Sequence, residues 1–145
     1  MIDPSCVRLK LHSTADVGKF SVMWQLQFRS EEIKDPNNPA LEIELLKILR
    51  ATKPRVVYTH NPTDKHDTHI ATLFGFLRAV RALPVSERPP LVIGCEMWRD
   101  LDWLCDEDRI MLDVSNYSKL ADALNNCFPS QIHSGTSTVA VACAK

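Results

Sequence analysis

The chain has no surplus of either charge. Its 17 Lys and Arg residues stand against 18 Asp and Glu, a net charge of −1. That balance excludes the basic stripe with which proteins meet nucleic acid or anionic lipid. Long apolar runs are missing as well. A stretch such as Ile70 to Leu77 is far shorter than the ~20 residues that cross a bilayer. The opening Met1-Ile2-Asp3-Pro4-Ser5-Cys6 lacks the basic-then-apolar order of a secretory signal. The five cysteines, at 6, 95, 105, 127 and 143, are odd in number and form no C-x-x-C pair. That argues against a disulfide framework, a zinc knuckle or a thiol-redox role. No internal repeat is visible. A reduced, cytoplasmic setting is the expectation.

What is present reads as one soluble globular domain. The 145 residues suffice for a sizeable core, and an apolar share of 45% with a charged share of 24% is ordinary. Strand patterns alternate with helical ones. Val7 to Leu11 reads as a short strand, and Val22 to Phe28 as an aromatic-rich second one with period-2 alternation. The turn string Asp35-Pro36-Asn37-Asn38-Pro39 precedes a helix over 39–52, with apolar residues at 41, 45, 46, 48 and 49 on one face. Arg55 to Thr59 is nearly continuous in apolarity, as a buried central strand should be. A helix over 67–83 follows, then strands over 91–95 and 110–114. A final helix over 116–128 points Leu120, Ala121 and Leu124 inward. The tail from Ser134 onward is a frayed end or holds a late strand around 139–142. This order favours an α/β sandwich with helices covering a parallel or mixed sheet.

The chemistry is concentrated after strand 55–59. In α/β folds, ligands sit where loops leave the carboxyl ends of the strands. Here His60, Asp64, His66, Asp67 and His69 fall within ten residues. Imidazole and carboxylate are the donors that suit zinc with one open position. The plainer reading makes Asp64 or Asp67 a helix cap beside solvated histidines. The concentration of ligand types favours a functional site.

The string Thr59-His60-Asn61-Pro62-Thr63-Asp64-Lys65-His66-Asp67-Thr68-His69 resembles the second signature of the PIG-L/LmbE-like zinc N-deacetylases. Further likenesses run in the same order along the chain. They are Lys34 to Ala40, Lys53 to Tyr58, Gly94 to Leu104, Leu112 to Ser115, and Phe128 with Ser130 to Ile132. The resemblance covers about 20–132 and leaves the tail 133–145 unmatched. It implies a Rossmann-like three-layer α/β/α sandwich and hydrolysis of an N-acetyl group from an amino-sugar conjugate, with zinc as the metal. His69 corresponds to the metal ligand of that signature, and His66 to the residue that steadies the oxyanion or protonates the leaving amine. Asp64, the acid inside the motif, is the second catalytic candidate. His60 and Asn61, with Arg99 and Asp100 from the Trp98 to Trp103 segment, are candidates for substrate binding. Trp103 reads as a core side chain, by the usual burial of indole.

The first metal signature of that family, H-P-D-D-E, does not occur. The nearest string, His12-Ser13-Thr14-Ala15-Asp16, places its acid four positions after the histidine and has no second acid. The chain therefore reads as an N-terminally truncated domain and a remnant of a metal-dependent N-deacetylase, inactive by itself. One histidine is too few for a catalytic zinc site, which takes three protein ligands, so weak zinc binding is the expectation for this chain alone. The alternatives are an active enzyme whose missing ligands come from His60, Asp64 or a second chain, and a non-catalytic oligomeric binding module. A truncated sheet exposes edge and apolar area, so a homo-oligomer is expected, with Trp24, Leu26 and Phe28 the residues to be covered.

Overall fold

A computed structural model of the chain describes residues 13–97, 100–128 and 142–144. Helix α1 (13–18) comes first, then α2 (Ser30–Lys34), α3 (Ala40–Thr52), β1 (Val56–His60), α4 (Asp67–Arg81) and β2 (Leu91–Cys95). Strand β3 (Arg109–Met111), α5 (Ser118–Asn126) and β4 (Ala142–Ala144) complete the order. The sequence reads as one domain, yet these residues divide into two compact units. One contains residues 13–26 and 113–128, and the other holds the whole sheet with α2, α3 and α4.

Local chemistry explains the helix boundaries of the larger unit. Glu31 and Glu32 occupy the first turn of α2 and Lys34 its last, so each charge complements the helix dipole. The Glu32 carboxylate accepts a hydrogen bond from the Arg29 N–H at 2.7 Å. The turn string is stitched by its own side chains. Asp35 Oδ1 accepts from the Asn37 N–H at 2.9 Å, and Asn38 Oδ1 from the Ala40 N–H at 3.0 Å, which are Asx turns that hand the chain into α3. Helix α3 ends on Lys53 in the left-handed region, φ 44°, and Pro54 bars its continuation. The Arg88 guanidinium donates to the carbonyls of Leu83 and Arg81, both at 3.1 Å, which closes the C-terminal end of α4.

Leu49, Phe76, Ala79 and Leu83 form the core, packed against Leu45, Leu46, Leu77, Val80 and the sheet residues Val57 and Val92. Each of the larger side chains contributes ~1.5–3 kcal/mol by leaving water. Val57 pairs with Val92 across the parallel β1–β2 ladder, so α3 and α4 lie against one face of the sheet. Strand order is β1-β2-β4-β3, with β4 antiparallel to both its neighbours. The class is therefore mixed α/β.

Several expectations are corrected here. Among the described residues, strand 55–59 is an edge and not the centre of the sheet. Its apolar run suggested burial on both faces, but Val56 and Tyr58 are exposed while Val57 faces the core. Residues 22–29 form no strand. Their alternation is real, but strand propensity becomes a strand only against a partner, and Trp24 is 52% exposed. Trp103 is 77% exposed rather than core. Leu120 on α5 is exposed, while Ala121 and Leu124 are half-buried. The expected strands at 7–11 and 139–142 fall on residues outside the described set, apart from Ala142, which opens β4.

Candidate metal centre

Strand β1 ends on His60, and six residues carry the chain from there to α4. Asn61 organises the start of this loop and is fully buried. Its Oδ1 accepts from the Thr63 N–H at 2.7 Å, and its Nδ2 donates to the Cys95 carbonyl at 3.0 Å. The loop is thereby tied to the end of β2. The fit is close enough that a Cβ on Gly94 would stand 2.6 Å from the Asn61 Cβ. Asn61, a substrate-binding candidate from the sequence, holds the loop to the sheet in this structure.

Asp64 is the centre of the loop, its side chain shut off from solvent. Its Oδ1 accepts from the His66 N–H at 2.9 Å. Its Oδ2 lies 2.8 Å from Nδ1 of His69 and 3.7 Å from Nδ1 of His60. Burial pushes the Asp64 carboxyl upward. The His66 N–H, the His69 hydrogen bond and the charges of His69 and His60 outweigh it, so the group sits below the ordinary carboxylate value. It is ionised at neutral pH.

The imidazoles form a pile over this carboxylate. The rings of His60 and His69 are 4.1 Å apart and 6° from parallel, and His66 lies 4.6 Å from His69 on an inclined plane. His66 is also the N-cap of α4, its Nδ1 accepting from the Thr68 N–H at 3.2 Å. In the neutral ring the proton therefore sits on Nε2. The plainer reading of the sequence gave the cap to Asp64 or Asp67; in the structure the Thr68 N–H is shared between His66 Nδ1 and Asp67 Oδ1, the latter at 2.7 Å.

His60, Asp64 and His69 offer three ligand atoms that lie within 4.8 Å of one another. Two imidazole nitrogens and one carboxylate oxygen form a donor set that fits a zinc-class cation. His66, taken with Asp64 as catalytic, borders this trio. Asp100 opens a 3₁₀ turn, Asp100–Trp103, and Arg99 lies outside the described residues, as does His12. Asp16 is in α1, within the smaller unit.

Two surface grooves flank the cluster. One, of about 340 Å³, is lined by Tyr58, Thr59, His60, Thr72, Cys95 and Met97. The other, of about 470 Å³, runs past Asp64, Lys65, Asp67 and Phe74 to Lys34. Lys34 was singled out only as part of a matching run. The structure shows its Nζ 2.9 Å from Asp67 Oδ2. Periodicity carries no signal for a contact between residues 33 positions apart.

No protein-family model matches the chain, and neither does any curated protein or solved structure. Among the described residues no helix is long and apolar enough to cross a membrane.

Proposed function

We propose that the chain derives from a PIG-L/LmbE-like metal-dependent N-deacetylase, with a Rossmann-like three-layer sandwich as its parent fold, and that it does not hydrolyse amides by itself. The observation that carries this reading is the convergence of four motif side chains, His60, Asp64, His66 and His69, at the carboxyl end of a parallel strand. That is where an α/β fold places its chemistry. The ligand class is an N-acetyl amino-sugar conjugate, with Arg99 and Asp100 proposed from the sequence to bind it, and the working form is a homo-oligomer.

Zinc is the metal this ancestry implies, and the donor set of His60, Asp64 and His69 fits it. When bound, such an ion lowers the pKa of a water and polarises an amide carbonyl. The chain's own residues supply less than a hydrolase needs. Asp64 is engaged by the His66 N–H and by His69. Asp67 is engaged by Lys34 and the Thr68 N–H, the first of which does most to hold its carboxyl below the ordinary value. A carboxylate stabilised in its charged form is a poor general base. Through its Nε2–H, His66 can donate a hydrogen bond to a developing oxyanion, yet no acid in this cluster is poised to take a proton from water.

The test is an assay of the purified chain, supplied with Zn²⁺, for amine released from N-acetylglucosamine conjugates. No release above the uncatalysed rate is expected. Turnover that disappears in His69→Ala would overturn the reading.

A further inference from the structure

We infer that His60, Asp64 and His69 together hold one divalent cation of the zinc class, so that two residues of the same loop complete a site around His69. The inference rests on the reading above for the location of the site, but its ligands come from geometry. Both imidazoles present Nδ1 to the same carboxylate oxygen, at 2.8 Å from His69 and 3.7 Å from His60. Metal bonds of 2.0–2.2 Å in a tetrahedron put neighbouring ligand atoms about 3.3 Å apart. The two observed distances bracket that spacing, while the three donors as a set spread over as much as 4.8 Å and must close up around an ion.

The burial of Asp64 makes it a carboxylate to which a cation can be bound. Asp64 is a solvent-excluded carboxylate whose facing groups are two imidazoles and one backbone N–H. A buried charge is costly unless paired or bound to a metal. A divalent ion held between the three donors would place countercharge directly at the Asp64 carboxylate, beside the two imidazoles that already face it. The rings flank the carboxylate while staying partly open to solvent, which leaves a path for the ion and a fourth position for water.

One rearrangement is required. A nitrogen lone pair lies in the plane of its ring, and two rings stacked 6° from parallel cannot both aim at one ion. One of them must turn. Binding therefore unstacks His60 from His69, and this change is a signature that a thiol-bound or loosely attached ion would not produce.

The experiment uses the full chain, stripped with chelator and then dialysed against Zn²⁺, with Co²⁺ as the spectroscopic probe. We expect one ion per chain, an intense visible Co²⁺ spectrum of tetrahedral type, and shifted imidazole resonances for His60 and His69. His60→Ala and His60→Gln, checked for folding by circular dichroism, should each weaken binding by at least ~10-fold, since even an outer-shell partner costs that much. Cys105→Ser, at an exposed thiol, should bind as the parent does. Failure to retain an ion, a weak octahedral-type spectrum, or binding that survives both His60 variants would overturn the inference while leaving the deacetylase ancestry standing. Stoichiometric metal accompanied by amide hydrolysis would do the reverse, sinking the inactive reading and keeping the site.

Discussion

Asp64 Oδ2 stands 2.8 Å from Nδ1 of His69, across the five positions that join the loop to the first turn of α4. The other oxygen of the same carboxylate accepts the His66 N–H. One buried acid thus fixes the direction of a ring and the start of a helix. Asp64→Ala should cost about 1–3 kcal/mol, the penalty for stranding buried donors. Asp64→Asn should cost less, because its carbonyl can still accept from the His66 N–H. Urea unfolding of the two variants would check the order. Equal stability of Asp64→Ala and the parent would show that the carboxylate organises nothing.

A second prediction concerns Lys34 and Asp67. Lys34 is the largest reason that the Asp67 carboxyl lies below its ordinary value, with the Thr68 N–H next. Both partners are well exposed, so the pair adds little to stability. Its contribution has a definite sign. A depressed carboxyl stabilises the fold above its unfolded value, and that stabilisation fades as pH falls through the folded one. Lys34→Met should move the Asp67 titration back toward the ordinary ~3.9, as read by carboxyl NMR. An unmoved titration would mean that the ion pair does not persist in solution.

How much of this was legible beforehand depends on the range of each interaction. Helix α3 was visible because Leu41, Leu45, Leu46, Ile48 and Leu49 recur on one face between Pro39 and Pro54, and α4 because Pro84 marks its limit. Strand 91–95 was equally plain. The loop cluster stood out because its donors are adjacent in sequence. The place of β1 in the sheet was hidden, since edge and centre differ by a pairing that the strand's own residues do not encode. Val22 to Phe28 misled for the same reason, having the alternation of a strand without a partner among the described residues. The burial of Asn61 beside Gly94, 33 positions away, was not legible because its own neighbours in sequence do not encode it.

Self-association is the third prediction. Phe20, Val22 and Trp24 are exposed in the smaller unit, and in the larger one the outer side of β1 carries no strand among the described residues. Exposed apolar residues and open sheet edges are both surfaces that a second copy can cover. Sedimentation at micromolar concentration should show dimer or larger, and Trp24→Ser should shift it toward monomer. A parent chain that stays monomeric across that range would count against a homo-oligomer.

The last prediction separates two glycines that a helix or strand would each be expected to dislike. At Gly94 a Cβ would meet Asn61 Cβ at 2.6 Å and Asn61 Cα at 3.1 Å. The second of these is backbone, so no choice of side chain at 61 relieves the clash. Gly94→Ala should cost about 1–3 kcal/mol, as overpacking does. Because Asn61 opens the loop that carries Asp64 and leads to His66 and His69, the displacement should reach the imidazole resonances as well. At Gly75 the new Cβ would meet Leu41 Cδ2 at 2.9 Å, the end of a side chain that can rotate. Alanine inside α4 also recovers up to ~1 kcal/mol of helix propensity. Gly75→Ala should therefore be close to neutral and leave the histidine resonances in place. Thermal unfolding and histidine NMR of the two variants check both halves. If Gly94→Ala proved as harmless as Gly75→Ala, the Asn61 loop would not be seated on β2 as closely as 2.6 Å implies.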